Sequence, residues 1–417
     1  MCLFLLCGLH RVLLGAPSLG GDAFELEPLT THGMSAHDVE HAPEGTFRTV
    51  FLSFGGVRGS DIGERFQPHF SRTSQTPPPV PGFTPPSSKW IQEVHACVQE
   101  DFAPFDVLVT TDKRVWEATP VAARTTVAFV AGNPLAGYIA FGFVGGFGDT
   151  RSEPTFVMPD LMLRSSKISC ELASHTIGHT LGLHHDGTDD AEYYTGHGSG
   201  RHPYWSPIMG ISDMAMVSQW SRAHYPGANQ DEDDIAVMAA ALRVRHDIGP
   251  DALISPSALP PPREHTLAPL SAHLIQYLTE RSGWNLPWPP VGERAPDGVI
   301  SSADDVDVVY FQVLPGWDAE SSKSGPTRLL INSVQFANLN IQVEIYLLTP
   351  NNVTLLHSDS PPYSMDVRYS LPVGLGPCWV GLAITGVGDP ERGPSLGFPD
   401  YGSLGQYSIH LVPPTPT

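Results

Sequence analysis

Hydrophobic and polar residues change their spacing along this chain, and the changes divide it into segments. Arg48 to Phe54 alternates and predicts a first strand. Thr76 to Ser88, with its two proline runs, predicts a loop. Lys89 to Phe102 then places Ile91, Val94, Cys97 and Val98 on one side of an amphipathic helix. Short strands are expected at Asp106 to Val109, Thr125 to Val130, Tyr138 to Phe143 and, as an edge strand, Pro154 to Met158. A helix follows, with Ser165 and Ser166 as caps. Ile168, Leu172, His175 and His179 form one stripe at helical spacing, and Ala173, Ile177 and Leu181 lie opposite. A helix that is apolar on two sides belongs inside a domain. Asp231 to His246 predicts another helix, acidic in its first turn and basic in its last.

Residues 247–297 are rich in proline, lack sustained periodicity and predict an inter-domain connection. From Gly298 the period changes to two. Val306 to Phe311, Leu329 to Ile331, Ile341 to Leu348, Asp366 to Leu371, Cys378 to Ile384 and Gln406 to Val412 are short runs separated by turn residues, the pattern of a β-sandwich. The expected architecture is therefore an α/β domain with a mixed sheet over residues 47–246, followed by an all-β sandwich over 298–415.

The chemistry concentrates in one stretch. His175 and His179 are four residues apart, which on a helix stacks their imidazoles one turn apart. Gly182 can end that helix in a left-handed conformation, and His185 can then supply a third nitrogen. Three neutral imidazoles with one open position form the ligand set of a catalytic rather than a structural zinc. His184 is the bystander by spacing, and Asp186 is placed to support the third ligand from behind.

The run His175-Thr176-Ile177-Gly178-His179-Thr180-Leu181-Gly182-Leu183-His184-His185 resembles the metzincin zinc-peptidase motif H-E-x-x-H-x-x-G-x-x-H. Every fixed position matches except the glutamate, where Thr176 stands. The resemblance is to secreted bacterial metzincins of the reprolysin-like type. It implies that Trp205 to Gly210 is the Met-turn, with Met209 under the metal, and that an edge strand near the site receives an extended peptide. The segments Asp304 to Asp307, Leu339 to Tyr346 and Tyr401 to Tyr407 are similar to the pre-peptidase C-terminal domain of secreted bacterial enzymes. That likeness implies an accessory role and a cell-surface or matrix polymer as partner.

Thr176 changes what the family label implies. In zincins the glutamate takes a proton from the metal-bound water, and a threonine hydroxyl has no usable proton affinity near neutral pH. A positioned general base contributes ~10²–10⁴-fold. Peptidase activity is therefore expected to be weak or absent, although zinc can still bind. Glu171 lies one turn before His175, but on the flank opposite Thr176, as a supporting or solvent-facing residue. Two alternatives stand beside this reading: an active endopeptidase with a different proton acceptor, and a non-enzymatic surface-binding protein. Tyr193 or Tyr194 could reach the metal or a substrate oxygen, while His197 and His202 read as polar loop residues.

Composition sets the remaining bounds. The 417-residue chain carries 44 acidic against 23 basic residues, a net charge of −21. This argues against nucleic acid and anionic membrane as partners. No apolar stretch reaches the roughly 18 residues of a membrane span. Residues 1–20 form a weak signal peptide and 21–46 a leader or pro-segment, which points to secretion. Of the five cysteines, Cys97 and Cys170 could pair, but nothing in their spacing requires it. The acidic turn at Asp304, Asp305 and Asp307 is a candidate calcium site.

Overall fold

The computed structural model describes residues 48–70, 77–135, 137–198, 203–244, 298–313, 328–333, 338–349, 352–360, 366–372, 375, 378–389 and 397–412. The expected signal, leader and proline-rich connection lie outside the described residues, as does His202.

The first half is built on five strands: β1 (Arg48–Ser53), β2 (Val107–Thr110), β3 (Arg124–Phe129), β4 (Ala140–Phe141) and β5 (Thr155–Val157). Their order is β2-β1-β3-β5-β4, with all neighbours parallel except β4, which runs antiparallel to β5. The edge beside the site is therefore β4. The expectation of an edge strand at Pro154 to Met158 is corrected, because β5 pairs on both sides. β1 is almost wholly buried, as strands covered on both faces must be.

Besides a single helical turn at Gln67–Phe70, four helices among the described residues accompany the sheet: α1 (Ser88–Asp101), α2 (Lys113–Ala118), α3 (Ser166–Leu181) and α4 (Asp234–Leu242). Residues alternate along β3 as a pleat demands. Val127 and Phe129 pack with Val94 and Val98 of α1 and Ala173 and Ile177 of α3, while Ala128 faces a second core with Phe66, Phe141 and Phe156. Trp90 joins the buried face of α1, donating through Nε1 to Arg164 O at 2.8 Å, and Ile91 packs against the same core half-buried. A Cys97–Cys170 disulfide ties α1 to α3.

α4 is shorter than expected. Asp233 caps it by accepting from Ala236 N, and Arg243 leaves the helix at φ 64°. Arg243 O then accepts from Asp106 N at 3.0 Å, and Val244 bridges Phe105. Of the basic residues expected in the last turn, Arg243 is thus beyond the helix, and Arg245 and His246 lie outside the described residues.

Residues from Gly298 form two antiparallel four-stranded sheets with one core between them. One sheet is β13 (Asp366–Ser370), β10 (Arg328–Ser333), β15 (Gly405–Val412) and β8 (Gly298–Ile300), in that order. The other is β12 (Asn352–Asp359), β11 (Ile341–Thr349), β14 (Cys378–Gly386) and β9 (Val306–Val313). A parallel pair, β6 (Trp205–Pro207) and β7 (Val217–Gln219), lies between the two halves in sequence. Ile341, Val343 and Ile345 are fully buried at alternate positions of β11, which gives the period of two its meaning. β8 and β12 are additional to the strands expected.

The two halves share a buried seam. Glu100, near the end of α1, accepts from Gln406 N and Gln406 Nε2 at 3.0 Å each. Tyr401 Oη donates to Asp233 Oδ1 at 2.6 Å and accepts from Ile235 N at 2.9 Å. Gln219 Nε2 donates to Asn338 O at 2.6 Å, and Phe398 lies parallel to Trp205.

Candidate metal centre

Helix α3 sets out the first two histidines. Ser165 caps it by accepting from Ile168 N at 3.3 Å. Gly182 ends it at φ 115°, and its N–H reaches the carbonyls of Gly178 and His179. Leu183 N also donates back to Gly178 O at 3.0 Å, so the chain reverses within one turn and returns His185 to the face of His175 and His179. Gly178 is required for a different reason: a β-carbon there would come within 2.7 Å of Met209 Sδ and 3.3 Å of Trp220. Met209 therefore closes directly against the helix between the two histidines, in the turn where Gly210 N donates to Pro207 O at 3.0 Å.

Each imidazole is fixed through Nδ1. His175 Nδ1 donates to Ile208 O, His179 Nδ1 to Leu183 O and His185 Nδ1 to Glu192 Oε1, each at 2.8 Å. Carbonyl and carboxylate oxygens only accept here, so the protons sit on Nδ1 and the Nε2 lone pairs are left for another partner. The donor atoms of the three rings all lie within 4.8 Å of one another. His179 Nε2 and His185 Nε2 approach to 3.0 Å. Two lone pairs that close repel unless a cation lies between them, so the donor set fits a metal ion.

Burial reinforces this. It pushes His175 down to about 4, His185 down to about 3 and His179 well below the usual imidazole range. For His185, the neighbouring His175 and His184 add to the effect. The rings are neutral near pH 7, with no proton competing for the nitrogens.

Thr176 is buried, and its Oγ1 donates back to Ala173 O at 3.0 Å. Its β-carbon lies under Gly142, just beyond β4, where any added β-carbon would meet it at 3.3 Å. Glu171 is not solvent-facing, which corrects one of its two expected settings. It is buried, pairs with Lys167 and accepts from Ser212 Oγ at 2.6 Å and Ser218 Oγ at 2.7 Å. Its two carboxylate oxygens are thus engaged by Lys167, Ser212 and Ser218.

Asp186 follows the third histidine in sequence, and its bonds run to other residues. Its N–H donates to Met209 O at 2.9 Å, and its Oδ1 accepts from Gln230 Nε2 at 2.6 Å and Tyr225 Oη at 3.2 Å. Burial pushes its carboxyl up to about 7. His184 turns outward to Glu232. Of the two tyrosines, Tyr193 faces the cluster, its ring 4.2 Å from that of His185. Tyr194 points away to His197 Nδ1 at 2.8 Å. His197 in turn contacts Gly397 O across the seam and is a structural loop residue.

No family model matches this chain, and no curated protein matches it. Among solved structures, the mitogen derived from Yersinia pseudotuberculosis is similar at 10% identity, over 27% of this chain and 89% of that one, with a TM-score of 0.15. A likeness that small carries no conclusion about fold or function.

Glu192 is the residue of this site that the sequence did not single out. Its one signal was an acidic side chain shortly after the third histidine. The acidic turn of the second half behaves differently from expectation. Asp305 Oδ2 accepts from Ser301 N and Ser301 Oγ, and Asp307 accepts from Tyr407 Oη at 2.5 Å. Among the described residues, the groups of three whose donor atoms converge are the histidines and Cys97, Asp101 and Cys170, two of which form the disulfide. The calcium expectation therefore has no support in the geometry. Among the described residues, no helix is long and apolar enough to cross a membrane.

Proposed function

We propose that this chain is a secreted, zinc-binding metallopeptidase-like protein of the metzincin type, with endopeptidase activity weak or absent. The observation that carries the reading is the convergence of three Nε2 lone pairs from His175, His179 and His185, each ring fixed from behind through Nδ1. Such a set of three imidazoles suits zinc with an open fourth position. Bound there, zinc would lower the pKa of a water and polarise a peptide carbonyl. What this chain lacks is the group to move the proton. Thr176 spends its hydroxyl on the helix backbone, and Glu171 is held by Lys167, Ser212 and Ser218. The Cys97–Cys170 disulfide supports secretion, since such bonds persist in oxidising compartments.

The test pairs wild type with Thr176→Glu, with zinc quantified and peptide cleavage assayed in both. Wild type is expected to hold about one zinc per chain and to cleave little. The variant is expected to cleave at least ~100-fold faster, because the general base is the missing part, and chelation should abolish the gain. A folded, metal-replete wild type without zinc would overturn the metal assignment. Robust wild-type cleavage would overturn the assignment of weak activity.

A further inference from the structure

The three ring anchors are not equivalent. Two are main-chain carbonyls: Ile208 O behind His175 and Leu183 O behind His179. Their positions follow from the Pro207–Gly210 turn and the end of α3, so side-chain replacement leaves the carbonyls in place. The third is a side chain, Glu192, whose Oε1 lies 2.8 Å from His185 Nδ1. His185 is also the ligand outside the helix, so its ring depends most on an external hold.

The loop carrying Glu192 is built to present it. Thr188 and Ala191 exchange two backbone hydrogen bonds at 2.7 and 3.1 Å, closing a tight turn after Gly187. A β-carbon at Gly187 would lie 2.5 Å from Glu192 O and 2.7 Å from Ala191 O, so the turn closes only over a glycine. Just past Glu192, Tyr194 N donates to Asp186 O at 2.6 Å, and Ile211 N donates to Tyr194 O at 2.9 Å. The loop is thus pinned on both sides of Glu192 and Tyr193. Tyr193 covers the ring of His185 at 4.2 Å, leaving Glu192 to set its rotation.

We propose that Glu192 is a positioning residue for the metal. It fixes the tautomer and rotation of His185 and, as a carboxylate behind an imidazole, makes Nε2 a stronger donor. The proposal rests on the zinc reading above and names the residue that tunes it. Glu192 is 37% exposed and His185 15%, so water reaches this hydrogen bond. Removing the carboxylate therefore leaves no sealed, unpaired group to unfold the loop.

The test measures zinc affinity by competition with a chromophoric chelator, and the thermal midpoint of the zinc-stripped protein, for the full chain as wild type, Glu192→Ala and Glu192→Gln. Glu192→Ala is expected to weaken zinc binding ~10–100-fold with the zinc-stripped midpoint unchanged. Glu192→Gln, which keeps an acceptor oxygen, is expected to recover part of the affinity. Equal affinity in wild type and Glu192→Ala overturns the proposal. So does a loss matched by a fall in the zinc-stripped midpoint, or a Gln variant no better than the Ala variant. Failure of the wild type itself to bind zinc would instead refute the zinc reading, so the two are told apart.

Discussion

At the scale of single residues, the site depends on what two glycines allow. Gly178 lets Met209 and Trp220 approach α3 between His175 and His179, and Gly182 takes the φ of 115° that turns the chain toward His185. The second is the sharper test, because the space around it is ordinary: an added β-carbon would meet Val237 no closer than 3.5 Å. Any penalty from Gly182→Ala must then come from the backbone. We expect that variant to lose about 1–2 kcal/mol in denaturant titration of the zinc-free protein. Zinc affinity should fall with it, since His185 follows three residues later. Unchanged stability would mean that the turn relaxes to a negative φ.

At the scale of elements, α1 and α3 form the layer over the sheet that carries the site, and the Cys97–Cys170 bond crosses between them, joining positions 73 apart in sequence. Cross-linking a loop of that length restrains the unfolded chain. The Cys97→Ala, Cys170→Ala double variant is expected to unfold with about 2–5 kcal/mol less free energy. A difference near zero would show that packing alone holds the helix pair. The elements also show which features were legible. The helix carrying His175 and His179 was legible because helical spacing, a capping serine and a terminal glycine are local signals. Register and edge position are not local. Tyr138 to Phe143 reads as a full strand yet contributes only Ala140–Phe141, and it, not β5, becomes the edge. β12 was not legible because its run, with Leu355 half exposed, lacks the clean alternation of a one-faced strand. Glu192 was not legible because its bond to His185 depends on how the loop between them closes.

For the whole molecule, the two halves meet in a buried seam. Glu100 is buried against β15, where it accepts from Gln406, a residue more than three hundred positions away and beyond the reach of any local pattern. Gly405 makes room for it, since a β-carbon there would overlap Glu100 Oε1. Burial raises the Glu100 carboxyl to about 8, against the lowering effect of the two Gln406 hydrogen bonds. The sign follows from linkage. Between the ordinary value of about 4.5 and about 8, the folded chain holds a proton that the unfolded chain has released. Stability is therefore greatest with respect to this group below the unfolded value, and declines as pH rises until it levels off above about 8. Gln in place of Glu removes the titration and keeps an acceptor for Gln406 N. Across pH 5 to 9, thermal unfolding of the full chain should show Glu100→Gln gaining on wild type as pH rises, by up to a few kcal/mol (~1.4 per pH unit). Parallel pH profiles for the two proteins would mean that Glu100 ionises freely, and that the seam opens more readily than its hydrogen bonds imply.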